Sequence, residues 1–110
     1  MVEILLVTDD TFDAEVIRSP LPVVVDFFAD WSVPSRVAEL SLESLSDTLT
    51  GRVKFTKMNV NDSSSVANSF GIHTIPTYLF LTGGREKGRE VGIVDPRELR
   101  AILRKHFSFE

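Results

Sequence analysis

A nearly unbroken apolar run, residues 21–29, constrains the fold of this chain more than any other feature of its sequence. The run is rich in β-branched and aromatic residues, among them Val23, Val24 and Phe27. Such a run is typical of a strand that is buried on both faces. Because helices have to cover both faces of such a strand, the run favours the α/β class.

Weaker patterns place helices and strands around this run. Ala38, Leu42, Leu45 and Leu49 have helical spacing within residues 35–49, and Gly51 follows as a stop signal. The other predicted strands are 2–7, 52–58, 77–81 and 89–93, and the other helices are one capped by Thr8, a short turn at 61–70, and one capped by Asp95. The order βαβαβαββα predicts a mixed central sheet with helices on both faces, in one domain over residues 1–110.

Composition excludes several classes of function. The formal net charge of −4 argues against nucleic acid or an anionic membrane as a partner. The absence of cysteine excludes disulfides, thiolate nucleophiles and cysteine-ligated metals, and two histidines are too few for a polyhistidine site. We therefore expect no metal and no cofactor. No apolar stretch is long enough to span a membrane and the N-terminus lacks a signal-peptide pattern, so the expected location is the cytoplasm.

Asp26 is the first unusual residue, because it lies inside the apolar run. A buried, isolated carboxylate is costly and usually becomes protonated instead. Two interpretations are open. Either the strand lets Asp26 reach solvent at an edge, or Asp26 donates or accepts a proton beside a reactive group.

The segment that follows, residues 29–36, joins this strand to the next helix. Ligands of open α/β sheets bind where strands end, and the start of a helix offers free N–H groups and a positive dipole. Ser32 and Ser35 face that dipole. Because a hydroxyl needs an adjacent base to become a nucleophile and no histidine is near in sequence, capping and turn formation are favoured over catalysis.

Pro76 stands at the start of a predicted strand, where it cannot donate a ladder hydrogen bond. It could be trans at a strand start or cis in a tight turn. The base rate of cis X–Pro bonds favours trans.

Taken together, these segments resemble the thioredoxin family. The family patterns V-D-F-W-A, W-C-G-P-C-K and I-P-T have counterparts here in residues 25–29, 31–36 and 75–77, in the same order. Lys57, Gly84 and Gly92 also match, and the resemblance covers nearly the whole chain. It implies the thioredoxin fold and, for a cysteine-containing parent, a protein thiol-disulfide oxidoreductase that is recharged by thioredoxin reductase.

The resemblance also implies roles for individual residues. Ser32 stands at the position of the attacking cysteine and Ser35 at that of the resolving one, with Asp26 as proton carrier and Lys57 nearby. Pro76 would be cis. The implied client-binding residues are Trp31, Val33, Pro34, Thr74, Ile75, Pro76, Gly92 and Ile93, together with Val60, and the backbone of Ile75 would pair with an extended client peptide.

Three departures from the family pattern bear on function. Both cysteines are serine, so dithiol exchange cannot run. Val33 replaces a glycine and adds apolar surface, and Leu40 stands where many members have a helix-kinking proline. One hypothesis is that the chain is the cysteine-to-serine form of an active thioredoxin. This form would be redox-inactive but would still bind protein clients as a monomer. The alternative is a natural redox-silent module that binds peptides or a partner protein.

Overall fold

The computed structural model describes residues 4–107, and in them a five-stranded mixed sheet is flanked by helices. The strands are β1 (Leu5–Leu6), β2 (Val23–Phe28), β3 (Lys54–Asn59), β4 (Thr77–Thr82) and β5 (Arg85–Val91); the helices are α1 (Val33–Ser46), α2 (Ser64–Ser69) and α3 (Pro96–His106), and a π-helical turn spans Asp13–Ile17. The order of elements and the predicted α/β class are confirmed.

The strand order β1-β3-β2-β4-β5 places the apolar run in the middle of the sheet. β3 pairs in parallel with β1 and β2, whereas β4 pairs antiparallel with β2 and β5. As a result, the ends of β2, β3 and β5 and the start of β4 lie at one edge of the sheet.

Side chains of β2 alternate between two cores, one on each face of the sheet. Val24 packs with Tyr78 and with residues of α1 and α3. Val25 and Phe27 pack on the other face, against the π-helical turn and neighbours of α2. Asp26 has the parity of Val24, so its carboxylate belongs to the face that α1 covers.

Several predicted boundaries were wrong by a few residues. α1 begins at Val33 instead of 35, because Ser32 caps it, and its regular part ends at Ser46 instead of 49. β5 begins at Arg85 and ends at Val91, not at 89 and 93. It ends early because Gly92 adopts a positive φ of 96° that breaks the strand. β3 and the shorter α2 agree with the predicted segments within three residues.

The first helix differs most from its prediction. A five-residue π-helical turn stands in its place, and Phe12 rather than Thr8 precedes it. Asp9, which precedes this turn in the chain, accepts hydrogen bonds from the backbone N–H groups of Ser65 and Val66 in α2, at 3.1 and 3.0 Å. The predicted strand 2–7 is observed only at Leu5–Leu6, and its first two residues lie outside the described range.

Candidate functional site

The sheet edge where β2 and β3 end brings together most of the predicted site residues. Trp31 and Ser32 follow β2, and Val60, whose N–H donates to the carbonyl of Phe28 at 2.9 Å, follows β3. Pro76 precedes β4 at the same edge, since Thr77 pairs with Phe27. Gly92 follows β5.

Pro76 is buried and is held from the β5 side. The backbone N–H of Gly92 donates to its carbonyl at 2.8 Å. The Ile75–Pro76 peptide bond is cis, so the trans bond that the base rate favoured was the wrong choice.

Both serines at the start of α1 are buried and take part in hydrogen bonds. Ser32 is the N-cap, and its Oγ accepts from the backbone N–H of Ser35 at 3.1 Å. The Oγ of Ser35 accepts from the N–H of Ala29 at 3.4 Å, which ties the helix to the end of β2. Ser32 and Ser35 are 5% and 2% exposed. Ser32 therefore performs the predicted capping role, and Ser35 joins the turn to the helix.

Asp26 is completely buried, which rules out the solvent-exposed interpretation of this residue. Neither carboxylate oxygen has a hydrogen-bond partner among the described residues. Burial, and secondly the negative charge of Glu39, raise the pKa of Asp26 to about 7, while Lys57 lowers it. The carboxyl group is thus set to exchange a proton near neutral pH.

Lys57 is the register partner of Asp26 on β3, but its side chain forms an ion pair with α1 and not with Asp26. Its Nζ lies 2.7 Å from Oε2 of Glu39 on α1, and both side chains are mostly buried. Tyr78, the partner of Asp26 on β4, donates its hydroxyl to the carbonyl of Ala38 at 2.7 Å. Burial, followed by the charge of Asp26, raises the pKa of Tyr78. Asp26 therefore lies between two strands whose polar groups are directed to α1.

Most of the predicted client-binding residues form an exposed rim around this buried centre, whereas Pro76 is buried. Trp31 is 72% exposed, Val33 74% and Ile93 48%, and Pro34 and Thr74 are also exposed. Ile75 is half-buried, and its backbone makes no hydrogen bond with another described residue. This backbone is therefore free to pair with an added strand.

A cavity of about 230 Å³ opens on the α1 side of this edge. Its walls include Asp30, Ser35, Glu39 and Lys57, so solvent reaches the ion pair beside Asp26. Residues 4–107 contain no cluster of three or more acidic or histidine side chains placed to hold a metal ion. Likewise, no helix in this range has the length and apolar character needed to cross a membrane.

Glu39 and Tyr78 were missed by the sequence-based predictions. Glu39 lies one helical turn after Ser35, on the side of α1 that meets β3, but its contact with Lys57 depends on the register of β3 and on how α1 crosses that strand. Tyr78 carries a hydroxyl inside an apolar strand, and this signal could have marked it as a polar neighbour of the site.

Comparisons with known proteins agree with this geometry. Residues 3–105 match the family model described as thioredoxin. The chain is 37% identical to thioredoxin 1 of Nostoc sp. over 100 residues, 91% of this chain and 94% of that protein. It is 32% identical to the thioredoxin of Haemophilus influenzae over 106 residues, which cover 96% and 99% of the two chains. The thioredoxin of Rickettsia bellii is 39% identical over 87 residues, or 79% and 83%.

Proposed function

Because the chain belongs to the thioredoxin family and has its fold, we propose that it keeps the client-binding surface of a thioredoxin and has lost the redox step. Its cysteine-containing parent is a thiol-disulfide oxidoreductase that donates electrons to protein disulfides. The chain as written acts as a single thioredoxin-like domain in the cytoplasm and is redox-inactive, since it has no sulfur at positions 32 and 35.

The paired serines at the start of α1 are the observation that carries this proposal. A thiol at position 32 would lie at the positive end of the helix, where the N–H of Ser35 donates to the side chain of residue 32. Asp26, with its pKa raised to about 7, lies on the strand that leads into this helix. A buried acid without a partner is costly, and it has an obvious use if it exchanges a proton with a sulfur at position 35.

The exposed rim supplies the binding function. Trp31, Val33 and Ile93 offer apolar surface, and the free backbone of Ile75 offers strand-like pairing to an extended peptide. Pro34, Thr74, Pro76 and Gly92 shape the floor and the sides of the same surface. We propose that protein clients bind here and that thioredoxin reductase binds the cysteine-containing form at the same rim.

Restoring the sulfurs tests the redox half of the proposal. The double variant Ser32→Cys/Ser35→Cys should reduce a protein disulfide with dithiothreitol or thioredoxin reductase as electron source, while the unchanged chain should show no activity. Ser41→Cys/Ser44→Cys is a matched control, because it places two thiols at the same spacing in the middle of the same helix. An inactive 32/35 variant that folds normally, or a control of equal activity, would contradict the proposal.

A second candidate function is a natural redox-silent binding module. It is favoured by the use of both serine hydroxyls in local hydrogen bonds, since serine at these positions stabilises the turn into α1. Serine codons at 32 and 35 in the native gene would support this module, and cysteine codons would support an altered thioredoxin. In either case the unchanged chain should bind extended apolar peptides, measured by the fluorescence of Trp31; Ile93→Glu should weaken that binding.

A further inference from the structure

The outward face of α1 carries an apolar stripe that nothing in the described structure covers. Val33, Val37 and Leu40, spaced i, i+4 and i+7, are 74%, 41% and 61% exposed. They point away from Ala38 and Leu42, which face the core. A surface helix normally has polar residues on its outward side. We call these three residues the outer stripe.

Two opposite charges flank the outer stripe on one side. Arg36 and Glu43 are seven residues apart, so they lie on the same side of the helix two turns from each other. Both are exposed, and neither side chain pairs with another described residue. Written as a heptad with the outer stripe at the a and d positions, both charges occupy g positions, which set partner choice and orientation in paired helices.

We propose that the outer stripe packs antiparallel against the outer stripe of a second copy of this chain, forming a two-fold symmetric dimer. In this arrangement Val37 faces Leu40 of the second copy, and Arg36 faces Glu43 of the second copy. The two-fold axis makes each contact twice. A parallel arrangement would place Arg36 opposite the uncharged Ser41, so charge complementarity selects the antiparallel dimer.

The size of the outer stripe makes this dimer weak. Three exposed apolar side chains on each chain and two ion pairs between the chains bury far less surface than the interface of a stable dimer does. The monomer expected from the sequence is therefore the species in dilute solution. Because the outer stripe begins at Val33, beside Trp31, the dimer covers part of the proposed client-binding rim, so self-association and client binding should compete.

Sedimentation velocity of the unchanged chain, from about 10 µM to about 1 mM, tests the proposal. The mean mass should rise towards a dimer at the upper end, and Leu40→Glu should hold it at the monomer. Val91→Glu is the matched control, because Val91 is 54% exposed and lies on β5. If the chain stays monomeric at every concentration, the proposal is overturned, even if the outer stripe binds a different protein. Equal loss of dimer in the Val91→Glu variant would also overturn it.

Exchanging the two charges tests the orientation. Arg36→Glu and Glu43→Arg should each raise the dissociation constant about fivefold, since each places like charges together at both symmetric contacts. The double variant Arg36→Glu/Glu43→Arg has unchanged composition and should dimerise like the parent chain. Failure of the double variant to recover, while it remains folded, would contradict the antiparallel arrangement.

Dimerisation through the outer stripe does not depend on the proposed redox chemistry. Dilute samples of Ser32→Cys/Ser35→Cys should have the same disulfide-reducing activity with or without Leu40→Glu, because both are monomeric there. Loss of activity in dilute solution therefore bears on the proposed function alone, and loss of the dimer bears on this inference alone.

Discussion

The starts of α1 and α3 use the same local design but differ in what surrounds it. Each has a cap whose side chain accepts from the backbone N–H three residues later, Ser32 from Ser35 at 3.1 Å and Asp95 from Glu98 at 2.8 Å. Each also has proline in its first turn. The cap of α3 is charged and exposed, whereas the cap of α1 is neutral and buried.

The difference concerns where the negative charge is placed. At α3 a carboxylate interacts directly with the helix dipole, which stabilises the fold. Near α1 the carboxylate of Asp26 is instead buried on the preceding strand, without a hydrogen bond to any residue between 4 and 107. The start of α3 is arranged for stability, and the start of α1 keeps a destabilising group that suits proton transfer.

The buried carboxylate of Asp26 should have the largest effect on stability. Because the pKa of Asp26 is raised from 3.8 to about 7, the folded chain binds a proton more tightly than the unfolded one. The free energy of unfolding should therefore fall as pH rises from about 4 to about 7, by on the order of 4 kcal/mol, and then level off.

Asp26→Ala should remove this contribution to the pH dependence and stabilise the chain at pH 8. The gain is about 1–3 kcal/mol, because the cavity left by the side chain offsets part of it. Urea unfolding of both chains at several pH values measures the effect. A variant that is less stable at pH 8, with the same pH profile as the parent chain, would show that the carboxylate is paired or solvated.

Removal of the cap should destabilise the chain more at α1 than at α3, and this difference in unfolding free energy is a smaller effect. Ser32→Ala leaves the N–H of Ser35 buried without a partner and should cost about 2 kcal/mol. Asp95→Ala exposes the N–H of Glu98 to water and should cost about 1 kcal/mol. Ser44→Ala, at an exposed position in α1, is the control and should be neutral or slightly stabilising. Equal losses from the two caps, in urea unfolding at one pH, would mean that burial at α1 has no effect.

These regions also differ in what sequence could predict. The cap of α3 was predicted because Asp95, Pro96 and Glu98 are neighbours in the chain, and local hydrogen bonds follow from local spacing. Five apolar neighbours surround Asp26 in sequence and indicate burial, but they leave open whether the strand lets the carboxylate reach solvent at an edge. The ion pair of Lys57 with Glu39 was not predicted, since it depends on the register of β3 and on how α1 crosses it.

Boundary errors have the same origin. A hydrophobic period shows where a helix is buried, as at Leu49, which is fully buried three residues beyond the end of α1. It does not show where the helical hydrogen bonds stop. The π-helical turn also escaped prediction, because Phe12 and Val16 keep a spacing that suits an ordinary helix.

Glu39→Gln should give the smallest effect, a change in the pKa of Asp26 near the start of α1. Glu39 raises the pKa of Asp26 and also holds Lys57, which lowers it. Removing the negative charge takes away the first effect and leaves the positive charge of Lys57 to act alone, so the pKa of Asp26 should fall.

The expected change is small, because burial is the larger cause of the raised pKa and remains in the variant. Titration of the Asp26 side-chain carboxyl by carbon NMR measures it in the folded chain. Lys57→Met is the matched opposite and should raise the pKa of Asp26, since it removes the positive charge that lowers it. Glu43→Gln, on the outward side of the same helix, should leave the titration unchanged. Shifts of the same sign in the Glu39 and Lys57 variants would mean that loss of the ion pair rearranges the pocket, so that the individual charges do not tune Asp26.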